Sequence, residues 1–193
     1  MQSHRMSGHS REARTASRYA KPSGLALSNP ATNPGALAPG VCFLSMATIR
    51  QKPNTYAITI STFQQHRHFQ RTANAELFIT TLFQHRDKTR FQLHGFVVMP
   101  DHIHVLITPA EDQSTAKCVQ YIKGGYSFAA RQQTAGEIWH SGYHDHRIRD
   151  AVDFSNQLVY IANNPTRKQY EDYPHVHTNY LDRIDPIPVH FVS

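Results

Sequence analysis

The stretch that most constrains the fold is FVVMPDHIHVLITP, from Phe96 to Pro109. Two runs rich in β-branched and aromatic residues, Phe91–Val98 and His102–Thr108, are separated only by a turn built on Pro100-Asp101. So short a connection predicts two neighbouring antiparallel strands. Residues i and i+2 of a strand face the same way. His102 and His104 therefore project together, while Ile103, Val105 and Ile107 point to the opposite face, toward a core.

The surrounding chain supplies partners for this hairpin. Tyr56 to Thr62 (YAITIST) alternates and is β-branched, which predicts a strand. Ala73 to His85 carries Leu77, Phe78, Leu82 and Phe83 at helical spacing. Ser114 to about Gln133 reads as a helix in two parts, bent or broken at Gly124-Gly125. Tyr143 to Arg149 suits a short fourth strand. Asp150 is an N-cap for a helix running to Asn164, with Phe154, Leu158 and Ile161 on one face and Pro165 as its stop. The order βαββαβ, plus a further helix, predicts a ferredoxin-like α+β sandwich: an antiparallel sheet with helices packed on one face and a C-terminal helix.

At 193 residues the chain accommodates one such domain with a real core. Residues 1–45, as in GLALSNPATNPGALAPG, lack hydrophobic periodicity and read as a disordered extension. They make a poor signal peptide, because no apolar stretch follows the basic start. Met46 is a natural second start, so the domain is expected over residues 46–185, with 186–193 as a tail. No run approaches the length of a membrane span. Cys42 and Cys118 have no zinc-type spacing and form no disulfide framework, so a reducing cytoplasm is expected. The net charge of +6 suggests nucleic acid, but residues 1–45 hold five Lys/Arg against one acid, so most of the excess is in the extension.

Paired neutral imidazoles are good ligands for a divalent metal. The alternative is two hydrogen-bonded histidines on a solvent-facing strand. Near the end of the last helix, YIANNP places Tyr160 and Asn164 at i and i+4, on one face. Asn164 offers an amide oxygen, and Tyr160 a phenol that becomes a nucleophile when suitably oriented. A metal on His102, His104 and Asn164 would polarise a phosphate beside that phenol. Otherwise Tyr160 is an ordinary tyrosine on a helix flank.

GFVVMPDHIHVLI, GEIWHSGYHDHRI (Gly136–Ile148) and YIANNP, in this order, make residues 54–180 resemble the HUH-type single-tyrosine transposases, and among them the REP-associated tyrosine transposases. In that family a His-hydrophobic-His strand is followed some fifty to sixty residues later by the reacting tyrosine. Here His104 and Tyr160 are 56 residues apart. The resemblance implies metal-ligand roles for His102 and His104 and a catalytic role for Tyr160. Asn164 matches a third-ligand position that is commonly glutamine. It further implies Mg²⁺ or Mn²⁺ as cofactor, with histidine-rich ligation favouring Mn²⁺, and cleavage of single-stranded DNA carrying hairpin repeats through a 5′-phosphotyrosine. The closer branch implies a monomer, with a homodimer as alternative. The chain departs from its relatives after the tyrosine, where NPTRKQYEDYP replaces the commoner NPVRAGLV, and in YIKGGYSFAARQQ, whose glycines replace a more continuous basic and aromatic segment. A non-cutting hairpin-binding module and a water-using metal phosphodiesterase are the rival functions.

Other residues carry weaker signals. His66, Arg67, His68 and Arg71 could grip phosphates or form a solvated loop. Lys123, Arg131, Arg147, Arg149, Arg167 and Lys168 are further phosphate candidates or plain surface charges. Trp139 and Tyr143 could stack on bases, although core packing suits Trp139 better. His140, His144 and His146 are rival metal ligands, with polar neighbours that suit an exposed edge. Tyr121 and Tyr126 are rival nucleophiles. Asp101 could orient His102 or simply form the turn.

Overall fold

The structure, a computed structural model, describes residues 54–192. The extension over residues 1–45 and the Met46 start lie outside the described residues. The order is β1 (Tyr56–Ser61), α1 (Thr72–Asp87), β2 (Phe91–Val98), β3 (His102–Pro109), α2 (Thr115–Ala130), β4 (His144–Arg147) and α3 (Ala151–Arg167). The strands form one antiparallel sheet in the order β2-β3-β1-β4. This is the ferredoxin-like α+β arrangement expected from the order of the elements.

Strand alternation divides the core in two. Ile103, Val105 and Ile107 of β3, with Ile58 and Ile60 of β1, face α1 and α2 and are fully buried there. Phe69, Phe78 and Tyr126 join them with half-buried Trp139 in a cluster of edge-to-face and tilted rings 5.3–6.0 Å apart. Such pairs contribute about 0.5–1.5 kcal/mol each beyond the area they bury. The opposite face, with Val97 and Leu106, is covered by α3 through Phe154, Leu158 and Ile161. Hence the sheet has helices on both sides, and the last helix closes the face that carries the two histidines.

Two expectations about helix boundaries need correction. Gly124-Gly125 does not divide α2, which runs unbroken to Ala130. An interior glycine costs a helix only about 1 kcal/mol relative to alanine, and Gly125 is needed for packing. A Cβ there would collide with the His85 imidazole of α1. Nor does Pro165 end α3, which continues to Arg167. Proline removes one hydrogen bond, and the helix closes less than a turn later, where Lys168 and Tyr170 N–H groups donate to the Pro165 carbonyl at 2.9 and 3.0 Å. Asp150 does cap the start, accepting from Asp153 N–H at 2.8 Å.

A register shift in the β2–β3 ladder between Leu93 and Gly95 turns both His94 and Gly95 toward α3. Gly95 lets α3 approach the sheet: a Cβ there would lie 2.7 Å from Leu158 Cδ1. The outer edge of β2 is covered by the C-terminal segment. Val98 N–H donates to the His175 carbonyl, and Leu93 N–H and the Arg86 guanidinium donate to the Asp185 carboxylate. Beyond it, Ile187 and Phe191 pack against the α3 side of the core.

Candidate active site

The site is built on the α3-covered face of the sheet. His102 and His104 project from it as the strand period requires, their rings 4.9 Å apart and nearly perpendicular. Across the ladder, Thr59 of β1 pairs with His104 on one side and with His144 of β4 on the other. Paired residues share a face, so Thr59, His104 and His144 form one row. The α3 stripe of Phe154, Leu158 and Ile161 continues to Asn164, which is buried directly over His104. Tyr160, one turn earlier, sits at the flank. It is 39 % exposed, with its ring 5.5 Å from that of His104. The spacing Tyr160–Asn164 thus yields one buried amide and one reachable phenol on the same side of a helix.

Hydrogen bonds orient both imidazoles. His102 Nδ1 lies 2.6 Å from Asp101 Oδ1, an acceptor, so Nδ1 donates to it and, in the neutral ring, Nε2 carries the lone pair. The backbone of Asp101 is held in turn, its carbonyl accepting from Thr62 N–H at 2.9 Å. His104 Nδ1 lies 2.8 Å from Thr59 Oγ1, while its Nε2 accepts from Asn164 Nδ2–H at 3.2 Å. Burial, and then the neighbouring His102, push the His104 pKa down to about 4. At neutral pH it is therefore an uncharged ring.

These groups suit a divalent cation. Asn164 Oδ1 is buried without a hydrogen-bond partner, beside the two rings, an arrangement that ordinarily costs about 1–3 kcal/mol. An amide oxygen left over next to two Nδ1-protonated histidines is what a cation bound by His102 Nε2, His104 Nε2 and Asn164 would use. Among the described residues no group of three or more His, Cys, Asp or Glu side chains forms a rival centre. His144 and His146 lie on the exposed edge strand, and His146 Nε2 is engaged by the Asp153 carboxylate at 3.0 Å.

The rival tyrosines lie elsewhere. Tyr126 is fully buried in the core on the other face, hydrogen-bonded to His68 Nε2 at 2.7 Å, and burial raises its pKa strongly. Tyr121, also on α2, lies beneath the Arg90 guanidinium, 3.8 Å from the ring centroid. Trp139 packs in the aromatic cluster and donates its indole N–H toward Ser127 Oγ.

The basic candidates are dispersed. Arg167 joins the site, its guanidinium 5.3 Å from the centre of the Tyr160 ring. Arg67 donates to Tyr170 Oη at 2.8 Å, and His66 and Arg71 are exposed in the same loop after β1. Lys123 is engaged with loop carbonyls, Arg131 lies over the Phe128 ring, and Arg149 pairs with Asp153 at 3.6 Å. Arg147 pairs with Tyr56 and so points away from the histidine face. The residue that the sequence reading missed is Thr59. Its only signal was its parity with Ala57 and Ser61 on the polar side of β1.

A cleft of about 160 Å³ lined by His104, Thr59, His144, Gln157 and Tyr160 leads to this cluster. Such an arrangement can hold a phosphodiester oxygen near a cation and expose its phosphorus to a phenol oxygen. Several known proteins are similar to this chain. A REP-associated tyrosine transposase of Escherichia coli strain K12 is 29 % identical over 89 residues, covering 44 % of this chain and 52 % of its own. A Haemophilus influenzae protein provisionally named as another is 31 % identical over 101 residues, covering 44 % and 57 %. The chain thus spans about half the length of these curated relatives. The solved structure of a REP-associated tyrosine transposase bound to a REP hairpin shares the fold, with a TM-score of 0.58 at 20 % identity over 72 % of this chain and 86 % of that one. The sequence profile of the IS200-like transposases matches residues 52–164, from just before β1 through Asn164, and the chain belongs to that family.

Proposed function

We propose that this protein cuts and rejoins single-stranded DNA bearing hairpin repeats, with Tyr160 as nucleophile. The observation that carries the reading is the convergence of His102, His104 and Asn164 on one buried spot beside the exposed Tyr160 phenol. Mg²⁺ or Mn²⁺ bound by those three residues would withdraw charge from a non-bridging oxygen of the scissile phosphate. Asp101 and Thr59 favour the tautomer of the two imidazoles in which Nε2 carries the lone pair. Arg167 places its guanidinium 5.3 Å from the centre of the Tyr160 ring, whose Oη gives up its proton as it attacks. Tyr160 Oη forms the bond to phosphorus and the bond to the 3′-oxygen breaks. That oxygen takes a proton, leaving a 5′-phosphotyrosine and a free 3′-hydroxyl. No water is consumed, so a second 3′-hydroxyl can reverse the step and join a new strand.

The E. coli and H. influenzae relatives carry the name REP-associated, and the solved neighbour is bound to a REP hairpin. These names support hairpin DNA as the partner here. No helix of the described residues is long and apolar enough to cross a membrane. We place the reaction on DNA in the cytoplasm, carried out by a monomer.

The test is a cleavage assay with full-length protein, Mn²⁺ and a labelled single strand bearing the hairpin repeats that flank its own gene. A slow-migrating covalent band on a denaturing gel is expected. Tyr160→Phe should abolish it while sparing binding, and His102→Ala should abolish it with loss of metal dependence. Binding without an adduct would establish a non-cutting module, and cleavage without an adduct would establish a water-using phosphodiesterase.

A further inference from the structure

A second, larger groove opens beside the cleft. Its volume is about 790 Å³, and it shares Thr59 and His144 with the space that leads to His104 and Tyr160. One wall is the end of β1 and the turn that leaves it, Ser61 to Gln65. The other is the loop from His140 to His144.

Both walls are fixed. Lys123 Nζ donates to the carbonyls of His140 and Gly142, at 2.8 and 3.1 Å, so its ammonium holds the loop. His140 N–H donates to the Ser61 carbonyl at 3.0 Å and Phe63 N–H to that of Ile138 at 2.8 Å, tying the loop to the turn. On the turn, Gln64 and Gln65 adopt φ values of +50° and +55°, two consecutive non-glycine residues in the left-handed region. Strained backbone of this kind persists where the surroundings enforce it, and it gathers at ligand clamps. Both glutamines are exposed and line the groove.

The lining chemistry selects the ligand. No Lys, Arg, Asp or Glu lines the groove, and the basic groups among its lining residues are the imidazoles of His140 and His144. Its lining also includes Phe63, Tyr143, whose side chain packs in part against the core, and the glutamines Gln64 and Gln65. Flat rings stack on heterocycles, and a carboxamide offers a donor and an acceptor side by side, the pattern that reads a base edge.

We propose that this groove takes an unpaired nucleobase adjacent to the phosphate that Tyr160 attacks, and that Gln64 and Gln65 read its edge. The inference rests on the proposed DNA-strand chemistry and adds its sequence selectivity. The two residues with positive φ are the two glutamines that line the groove.

The experiment is an NMR titration of the ¹⁵N-labelled full chain with the four homopolymeric deoxytrinucleotides, and with deoxyribose 5-phosphate as the base-free control. At least one trinucleotide should shift the Gln64 and Gln65 side-chain amides and the Gly142 N–H. Affinities should differ among bases by roughly five-fold or more, the lower end of what one base-edge contact discriminates. The double variant Gln64→Gly/Gln65→Gly removes both amides and relaxes the turn, because glycine accepts positive φ. It should keep its fold and lose the preference among bases. No shifts at these positions, equal shifts with deoxyribose 5-phosphate, or an unchanged base preference in the double variant would overturn the proposal. The covalent-adduct assay reads the underlying reaction separately: adduct without groove shifts leaves the reaction standing and removes the base site, and groove shifts without adduct do the converse.

Discussion

Replacing Thr59 with valine tests whether the His104 tautomer governs the site. Valine has the shape and strand preference of threonine, so the exchange removes one hydroxyl and leaves the β1–β3 register alone. In the native protein Thr59 Oγ1 lies 2.8 Å from His104 Nδ1 and holds the proton there, with the Nε2 lone pair toward Asn164. Without the hydroxyl, a buried Nδ1–H would be unpaired, at a cost of about 1–3 kcal/mol. The ring can avoid this by moving its proton to Nε2. The Asn164 amide then turns its unpartnered Oδ1 toward that proton. The metal-free fold should therefore lose about 0.5–1.5 kcal/mol, since the two hydrogen bonds to the ring become one. A cation must first reverse the exchange, because the lone pair it needs now carries a proton. Loss of the hydrogen-bond partner of a ligating histidine typically weakens metal binding roughly 10–100-fold, about 1.4–2.7 kcal/mol. Mn²⁺ titration followed by electron paramagnetic resonance, beside urea unfolding in chelator, separates the two effects. We expect weakened Mn²⁺ binding with only a small loss of stability, and Thr59→Ser close to the parent in both. Unchanged Mn²⁺ affinity in Thr59→Val would refute the tautomer argument.

Gly124→Ala and Gly125→Ala should move stability in opposite directions. The first adds a methyl in open space and gains about 0.5–1 kcal/mol of helix propensity, while the second drives a Cβ into His85 and should cost about 1–3 kcal/mol of overpacking, partly offset by the same gain. Equal shifts in urea midpoint would contradict the close α1–α2 crossing. The pKa values of the buried rings His94, His104 and His177 are lowered, chiefly by burial. The unfolded chain therefore binds protons that the folded one refuses, so the stability from these rings is complete above about pH 6.5 and is lost as the pH falls below it. Carried down to about 4, His104 alone contributes on the order of 3 kcal/mol. A urea midpoint for the metal-free protein that stays flat between pH 7.5 and pH 5 would count against neutral buried rings. Asp185→Ala should cost about 2–3 kcal/mol and raise proteolytic cleavage of the C-terminal segment, because it strips the Arg86 guanidinium and the Leu93 N–H of their shared acceptor. Limited trypsin digestion reads this, and an unchanged pattern would show that the segment is held by its apolar contacts.

Local patterning carried much of this protein. The hairpin at Pro100-Asp101, the parity that turns His102 and His104 to one side, and the i, i+4 relation of Tyr160 and Asn164 all follow from the repeat of a strand or a helix, which a few residues suffice to establish. The same locality misled at Gly125 and Pro165. There the meaning of the residue depended on what lay across from it, the His85 ring in one case and the nearby helix end in the other. Thr59 as the partner of His104 depended on strand register, which brings together residues 45 positions apart in the chain. The covering of the histidine face by α3 depended on Gly95, where a missing side chain admits Leu158. The groove beside the cleft came from a turn and a loop with little hydrophobic pattern to announce them. Chain chemistry alone determined which groups could react. Packing decided which of them meet, because a contact between distant segments is set by the balance of the whole core and leaves little trace in the periodicity of either segment.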